Sequence, residues 1–237
     1  MPKKPPKHSE RNKKVSTATR LKNSWFESRD DAPKIRIKPE RHLIVTEGTK
    51  TEPNYFGEMG DRINRIYRGD PIKVEIMGTG RNTTSLYDFA KEKVESDMAG
   101  YTHVWLVYDK DSFSADKFNA VAEMCQSAQS CGSCFHAIWS NECFELWFLL
   151  HFEFLQAGLS REMYIPKLDE HLKKLGLQPY RKNDPNMFAI LEPYLFTAIK
   201  NAKKLEEKNE GVLPANAKPG TQVHKLVEYL LQFLVRD

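Results

Sequence analysis

The sequence predicts an α/β protein with a mostly parallel, four-stranded, Rossmann-like sheet flanked by helices, followed by a C-terminal helical portion. Two observations lead to this fold. From about residue 41 to 140, short apolar segments alternate with longer amphipathic ones, and from about residue 140 to 237 the pattern is helical only. Because parallel strands need a crossover connection, which is usually a helix, this alternation favours a parallel sheet.

Three of the predicted strands are short, mainly apolar segments, and the one over 72–77 alternates apolar and charged residues; each is followed by a polar residue or a glycine. They cover residues 42–46, 72–77, 103–108 and 134–139. Runs of this length, rich in Val, Ile and aromatic residues, are typical of strands that are buried in a sheet.

The predicted helices carry apolar residues at helical spacing. Pro193 is expected to bend or split one of them, since proline removes a backbone hydrogen bond inside a helix. We expect the later helices to pack over the sheet, so that residues 35–237 form a single domain. The helices are predicted over 51–67, 82–98, 115–130, 141–152, 165–175, 186–207 and 222–235.

The charge of the chain is unevenly distributed. The 237 residues have a formal net charge of +4, yet residues 1–41 contain 13 Lys and Arg against 5 Asp and Glu. Residues 1–34 are also poor in apolar side chains, which predicts a basic, flexible leader. Such a leader can bind nucleic-acid phosphates, or it can be a solvated tail. The candidate phosphate contacts in and just after it are Lys13, Lys14, Arg20 and Arg36.

The composition argues against a membrane or secreted protein. No stretch approaches the roughly 20 continuous apolar residues of a membrane span, and the N-terminus lacks the apolar centre of a secretion signal. The 4 cysteines are too few for a disulfide framework in a chain of this length. We therefore expect a cytoplasmic protein with no membrane partner.

Acidic residues follow two of the predicted strands. Glu47 follows the first, and Asp109 and Asp111 follow the third. In open α/β sheets ligands bind at the carboxyl ends of strands, and Mg²⁺ prefers carboxylate oxygens. Two aspartates at positions i and i+2 leaving a strand should point to one side, with Lys110 pointing away. The three acids then lack a local cationic partner, which predicts a metal site. The alternative is a turn and helix cap for the aspartates and a solvated loop position for Glu47.

Four further residues are candidates for the same site. Glu52 begins the helix after Glu47, and Glu145 lies in an otherwise apolar helix, where a carboxylate needs a partner or a metal. Ser140 or Asn141 is expected to cap that helix. Lys50 and Arg81 lie in loops that follow the first two strands and could contact phosphate, although for Arg81 a simple strand–helix turn is the stronger interpretation.

Several motifs resemble a known family. Residues 45–48 (Val-Thr-Glu-Gly) and 108–111 (Tyr-Asp-Lys-Asp) resemble the Toprim domain of topoisomerases, bacterial primases and OLD-type nucleases. Residues 44–56, 109–111 and 140–152 resemble more closely the RloB family, found in bacterial restriction and phage-defence loci. Weaker matches lie at 180–184, 198–202 and 223–227. At residue 142 the chain has Glu where the family usually has proline.

The resemblance implies a nuclease that needs Mg²⁺ or Mn²⁺, acting on DNA or RNA, tRNA included, in antiphage defence. Glu47 would be a general acid/base or metal ligand, Asp109 and Asp111 would hold the metal, and Lys182 would stabilise charge at the scissile phosphate. A second defence protein such as an ATPase, and a homodimer, are the expected partners. The alternatives are a non-catalytic nucleic-acid-binding or sensor subunit, and a strand transferase with Tyr55 or Tyr108 as nucleophile.

Overall fold

The structure is a computed structural model that describes residues 38–68, 72–98, 100–111, 113–128 and 132–234. The predicted leader, with Lys13, Lys14, Arg20 and Arg36, lies outside the described residues. Within the described part of the chain, no helix combines the length and the apolar character that crossing a membrane would require.

Five strands form one sheet in the order β2-β1-β3-β4-β5. The first four pair in parallel, which confirms the predicted parallel arrangement. The predicted strand number was wrong by one, because β5 adds to β4 in the antiparallel direction. A two-residue strand has no apolar repeat by which sequence could show it. The strands are β1 (Glu40–Thr46), β2 (Ile72–Gly78), β3 (His103–Asp109), β4 (Cys134–Asn141) and β5 (Gly220–Thr221).

Three helices connect the parallel strands, and five more follow β4. A short 3₁₀ turn at Glu192–Tyr194, which contains Pro193, separates α6 from α7, as the proline predicted. The helices are α1 (Thr51–Ile66), α2 (Thr83–Ser96), α3 (Ala115–Ser127), α4 (Glu145–Leu150), α5 (Arg161–Lys174), α6 (Met187–Leu191), α7 (Leu195–Lys208) and α8 (Val223–Leu234).

The start of α4 differs from the prediction. Ser140 and Asn141 are the last residues of β4 and do not cap α4, whose first helical residue is Glu145. The reason is a set of contacts with the segment around β5. The Ser140 hydroxyl lies 3.0 Å from that of Thr221, and the Asn141 amide donates to two backbone carbonyls of residues 214 and 215.

Helices cover both faces of the sheet. One face packs against α2 and α3 through side chains such as Leu106 and Phe118. The other packs against α1 and the helices that follow β4. Every side chain of α4 is buried, as its continuous apolar sequence requires. The later helices therefore cover one sheet face, which leaves the carboxyl ends of the strands to form a cleft.

Three histidines lie together near the amino ends of the strands, far from those carboxyl ends. His42 stacks on His103 with 5.2 Å between ring centroids, and His103 Nδ1 lies 3.0 Å from His136 Nε2. Burial lowers the pKa of His42 to about 3 and that of His136 to about 4. Both rings therefore stay neutral in the folded protein at pH values where an unfolded chain would protonate them.

Replacing His136 with Gln is expected to make the fold less sensitive to acid. A lowered histidine pKa means that the unfolded state binds more protons below pH 6.5, so stability is lost as pH falls toward 4. His136→Gln removes one such group and should lose less stability than wild type in this range, by up to about 1.4 kcal/mol per pH unit. Urea unfolding at pH 6.5, 5.5 and 4.5 measures this. Equal pH slopes for the two proteins would contradict it.

Candidate active site

A cleft of about 480 Å³ opens at the carboxyl ends of β1 and β3. These strands are neighbours in the sheet although β2 lies between them in the sequence, so the strand order reverses here. Such a switch point is where open α/β sheets bind ligands. All predicted site residues in the described part of the chain line this cleft, namely Glu47, Lys50, Glu52, Arg81, Asp109, Asp111, Glu145 and Lys182.

Glu47 and Asp109 lie side by side at the switch point. The Glu47 carboxylate accepts a hydrogen bond of 3.2 Å from the backbone N–H of Asp109. Asp109 is only 8% exposed, and its Oδ2 accepts a bond of 3.1 Å from the backbone N–H of Phe144, before α4. Its other oxygen, Oδ1, is buried without a hydrogen-bond partner. Oδ1 of Asp109 is therefore buried in the cleft with no hydrogen-bond donor to stabilise its negative charge.

Burial and mutual repulsion raise the pKa values of these acids. Burial is the main cause for Glu47, whose pKa rises to about 7. Burial also raises the pKa of Asp109 well above its usual range, and the charges of Glu52 and Glu145 add to that effect. An anionic cluster in a half-closed cleft is costly unless protons or a cation neutralise it.

Glu52 belongs to this cluster. It lies in the first turn of α1 and is 5% exposed. Burial raises its pKa, as does the charge of Glu145. A Cβ at residue 48 would lie 2.2 Å from Glu52 Oε2. The Glu52 carboxylate can occupy this position because Gly48 has no side chain. Glu52 is therefore both an acid in the first turn of α1 and part of the cleft wall.

Asp111 reaches the cleft from a turn. β3 ends at Asp109, and Asp111 has a φ of 38°, a left-handed conformation that Asp tolerates better than most residues. The prediction that both aspartates point to one side of an extended strand was therefore wrong in its geometry, although both line the cleft. The helix-cap alternative was also wrong, because the cap position of α3 belongs to Ser114.

Asp111 has a cationic partner that the sequence analysis missed. The guanidinium of Arg161, the first residue of α5, forms an ion pair with Asp111 Oδ1. The charge of Arg161 also lowers the pKa of Glu47, against the larger effect of burial. The expectation that the strand-end acids lack a nearby cation was thus wrong. No spacing or motif indicates this residue, because it comes from a distant helix.

Glu145 has two partners on the opposite wall. The hydroxyl of Tyr180 donates to Glu145 Oε1 at 3.2 Å, and Lys182 Nζ lies 3.9 Å from the same oxygen. The loop that carries them is attached to the start of α1, since the Thr51 hydroxyl donates to the backbone carbonyl of Lys182 at 2.9 Å. Half of the Lys182 side chain remains exposed, so its ammonium can still meet a ligand in the cleft.

The loops after β1 and β2 form the rim of the cleft. Gly80 N–H donates to the Glu47 carbonyl at 2.9 Å. A Cβ at Gly78 would come within 3.0 Å of backbone atoms in the loop after β1, so the two loops pack backbone against backbone. Lys50 is exposed on this rim, and the Arg81 guanidinium lies 4.8 Å from the Phe89 ring centroid. Both side chains can contact a polyanion from there.

The comparisons with known proteins identify the family. The family model described as "RloB-like protein" matches residues 42–230, which include the whole sheet from His42 onward and every residue of the cleft. The chain belongs to the RloB-like family. No curated protein and no solved structure matched the chain.

The cleft of this RloB-like protein fits a hard divalent cation in its chemistry. Among the residues described, no three His, Cys, Asp or Glu side chains are already placed as a metal-ligand set. Mg²⁺ does not require such a set, since one or two carboxylates with waters and substrate phosphates usually hold it. The unpartnered Oδ1 of Asp109 and the adjacent carboxylate of Glu47 are oxygen donors of that kind.

Proposed function

We propose that this RloB-like protein is a divalent-metal-dependent nuclease with a Toprim-type site, which hydrolyses phosphodiesters of DNA or RNA in antiphage defence. The observation that carries the proposal is the unpartnered, buried Asp109 Oδ1 beside Glu47, at the point where strand order reverses. A buried carboxylate oxygen without a hydrogen-bond partner, raised acid pKa values and a basic rim are together the properties of a metal-and-phosphate site.

Glu47 and Asp109 would hold Mg²⁺ or Mn²⁺, and Asp111 would join them when its carboxylate is released by Arg161. When bound, such an ion neutralises phosphate oxygens and lowers the pKa of a coordinated water. Asp109 supplies a fixed carboxylate, because the backbone N–H of Phe144 holds its second oxygen. This fixed geometry limits the reorganisation that binding would require.

Glu47 is suited to carry a proton. Its pKa of about 7 lies near neutral pH, where a general acid or base is most effective. Its position is defined by the hydrogen bond from the Asp109 amide. Glu47 can therefore exchange a proton at its carboxylate without moving away from the strand ends.

Lys182 and the rim cations would orient the substrate. The Lys182 ammonium is close to Glu145 but half exposed, and Lys50 and Arg81 lie on the rim. Preorganised cations that face developing negative charge lower the barrier of phosphoryl transfer. The leader residues Lys13, Lys14, Arg20 and Arg36 would add sequence-independent affinity through counterion release.

The function is tested by incubating the purified full chain with supercoiled plasmid, single-stranded DNA or tRNA. We expect cleavage of at least one substrate in Mg²⁺ or Mn²⁺ and none in EDTA. Glu47→Gln should lose most of the activity, whereas Glu92→Gln, the same change on the exposed face of α2, should keep it. Tight nucleic-acid binding without metal-dependent cleavage would favour the non-catalytic binding subunit. A covalent protein–DNA adduct would indicate the strand transferase.

A further inference from the structure

Arg161 is distinguished from the other cations of the cleft by its position. Lys182 pairs with Glu145, and Arg81 lies over an aromatic ring. Arg161 alone, among the cleft residues that the structure describes, pairs with one of the three strand-end acids. It therefore lies where the charges of metal, phosphate and carboxylate would meet.

The pair between Arg161 and Asp111 is exchangeable. The Arg161 side chain is 42% exposed and that of Asp111 27%, and ion pairs with this much water contribute little to stability. Arginine matches the geometry of a phosphate at least as well as that of a carboxylate, because its planar fork can donate two parallel hydrogen bonds to either. A phosphate entering the cleft can thus replace Asp111 as the partner of Arg161 at small cost.

The location of Arg161 in the cleft agrees with this exchange. Its charge lowers the pKa of Glu47, although Glu47 follows a different strand. The guanidinium also lines the same cleft as all three strand-end carboxylates. A phosphate held there would lie against the unpartnered Asp109 Oδ1 only if a cation came between them, since two anions repel.

We infer that Arg161 is a phosphate-binding residue of the cleft, which occupies Asp111 in the free protein and transfers to a phosphate of the nucleic-acid substrate when Asp111 binds a divalent cation. The inference rests on the proposed function and extends it. Metal binding at Asp111 would free Arg161 for a phosphate, and phosphate binding at Arg161 would free Asp111 for the metal. Each binding event would therefore favour the other.

The inference is tested by two binding measurements that do not depend on turnover. Mn²⁺ affinity is measured by calorimetry, and the affinity for a single-stranded oligonucleotide is measured in Ca²⁺ at several salt concentrations. Arg161→Ala should bind Mn²⁺ about two- to fivefold more tightly, because Asp111 loses its competing partner. It should bind the oligonucleotide roughly tenfold more weakly, with a salt slope lower by about one. Arg161→Lys should restore the salt slope but only part of the affinity.

Two controls isolate the effect. Arg65→Ala removes an exposed arginine of α1 outside the cleft, and it should change neither quantity. In an Asp111→Asn background, Arg161→Ala should raise Mn²⁺ affinity by less than it does in wild type, because the competition for the carboxylate is already removed and only the charge of Arg161 acting on Glu47 is lost. A loss of fold in Arg161→Ala would be visible as a lowered unfolding temperature, and Arg161→Gln then replaces it in the same measurements.

The outcomes separate the inference from the proposed function. If wild type binds Mn²⁺ and cleaves, while Arg161→Ala matches it in both affinities, the inference is overturned and the function stands. If wild type binds no Mn²⁺ but its oligonucleotide affinity depends on Arg161, the metal-dependent function fails and the phosphate contact stands. Loss of oligonucleotide affinity with unchanged Mn²⁺ affinity would overturn the exchange at Asp111.

Discussion

Asp109→Asn is expected to lower kcat of the proposed cleavage by about a thousandfold or more, the scale on which removing one charge-stabilising group acts in enzymes. The substitution keeps an oxygen that can accept the hydrogen bond from Phe144 N–H. It replaces the unpartnered carboxylate oxygen by an amide that can donate to the neighbouring acids. The local structure is therefore preserved while the metal-binding charge is removed.

The same substitution is expected to stabilise the metal-free protein. Burial and the charges of Glu52 and Glu145 raise the pKa of Asp109 well above its usual range, so folding becomes less favourable as pH rises and the carboxyl is forced to ionise. The advantage of Asp109→Asn in thermal unfolding with EDTA should therefore grow as pH rises above 3.8, the ordinary pKa of this carboxyl. Residues arranged for function commonly have this opposing effect on stability.

Asp88→Asn is the matched control, because it makes the same change on an exposed position of α2. It should leave both the cleavage rate and the pH dependence of unfolding as in wild type. Cleavage by Asp109→Asn at the wild-type rate would remove Asp109 from the active site. A lower unfolding temperature for this variant at pH 9 would contradict the electrostatic account of the cluster.

Much of the fold could be predicted because it depends on local periodicity. Three of the four parallel strands contain an apolar run, and β2 alternates apolar and charged residues. Pro193 separates α6 from α7, because proline lacks the N–H that a continuous helix needs. β5 could not be predicted, since its two residues are ordered by Ser140 and Asn141 and not by any pattern of their own. The same tertiary contacts extended β4 and delayed the start of α4.

The part of the site that lies at the ends of the strands could be predicted from the sequence. Glu47 and Asp109 converge because parallel neighbouring strands bring their carboxyl ends to one edge. Arg161 could not be predicted, because it reaches Asp111 from the start of α5. Tyr180 as the partner of Glu145 was missed for the same reason. Groups that balance charge across a cleft come from distant segments, and one sequence holds no signal of such pairs.

Glu47→Gln is expected to remove proton release on metal binding near neutral pH. With a pKa of about 7, the Glu47 carboxyl carries about half a proton at pH 7, and this proton must leave when the carboxylate becomes a ligand. Wild type should therefore release roughly half a proton more than Glu47→Gln per Mn²⁺ bound at pH 7, and this difference should vanish by about pH 8.5. Calorimetry in buffers of different ionisation enthalpy measures the number directly.

The pH dependence of the cleavage rate should show the titration of the same carboxyl group, that of Glu47. Because the ionised form of Glu47 is needed to hold the cation or to accept a proton, kcat/KM of wild type should rise with pH below about 7 and level off above it. Glu47→Gln should cleave at least about a hundredfold more slowly, and its residual rate should not show the rise with pH that ends near pH 7 in wild type. A rise that persists unchanged in the variant would assign the titration to another group.

The stability of the metal-free protein gives an independent check on the direction of the Glu47 pKa shift. A carboxyl whose pKa rises from 4.5 to about 7 on folding binds more protons in the folded than in the unfolded state between those pH values. Its contribution to stability is therefore lost as pH rises through that window. Glu47→Gln should exceed wild type in unfolding free energy above pH 7 by about 1–2 kcal/mol, a value reduced for the partial exposure of the side chain. Since saturating Mn²⁺ stabilises wild type by mass action and the variant less, the order of the two proteins should reverse when the metal is added.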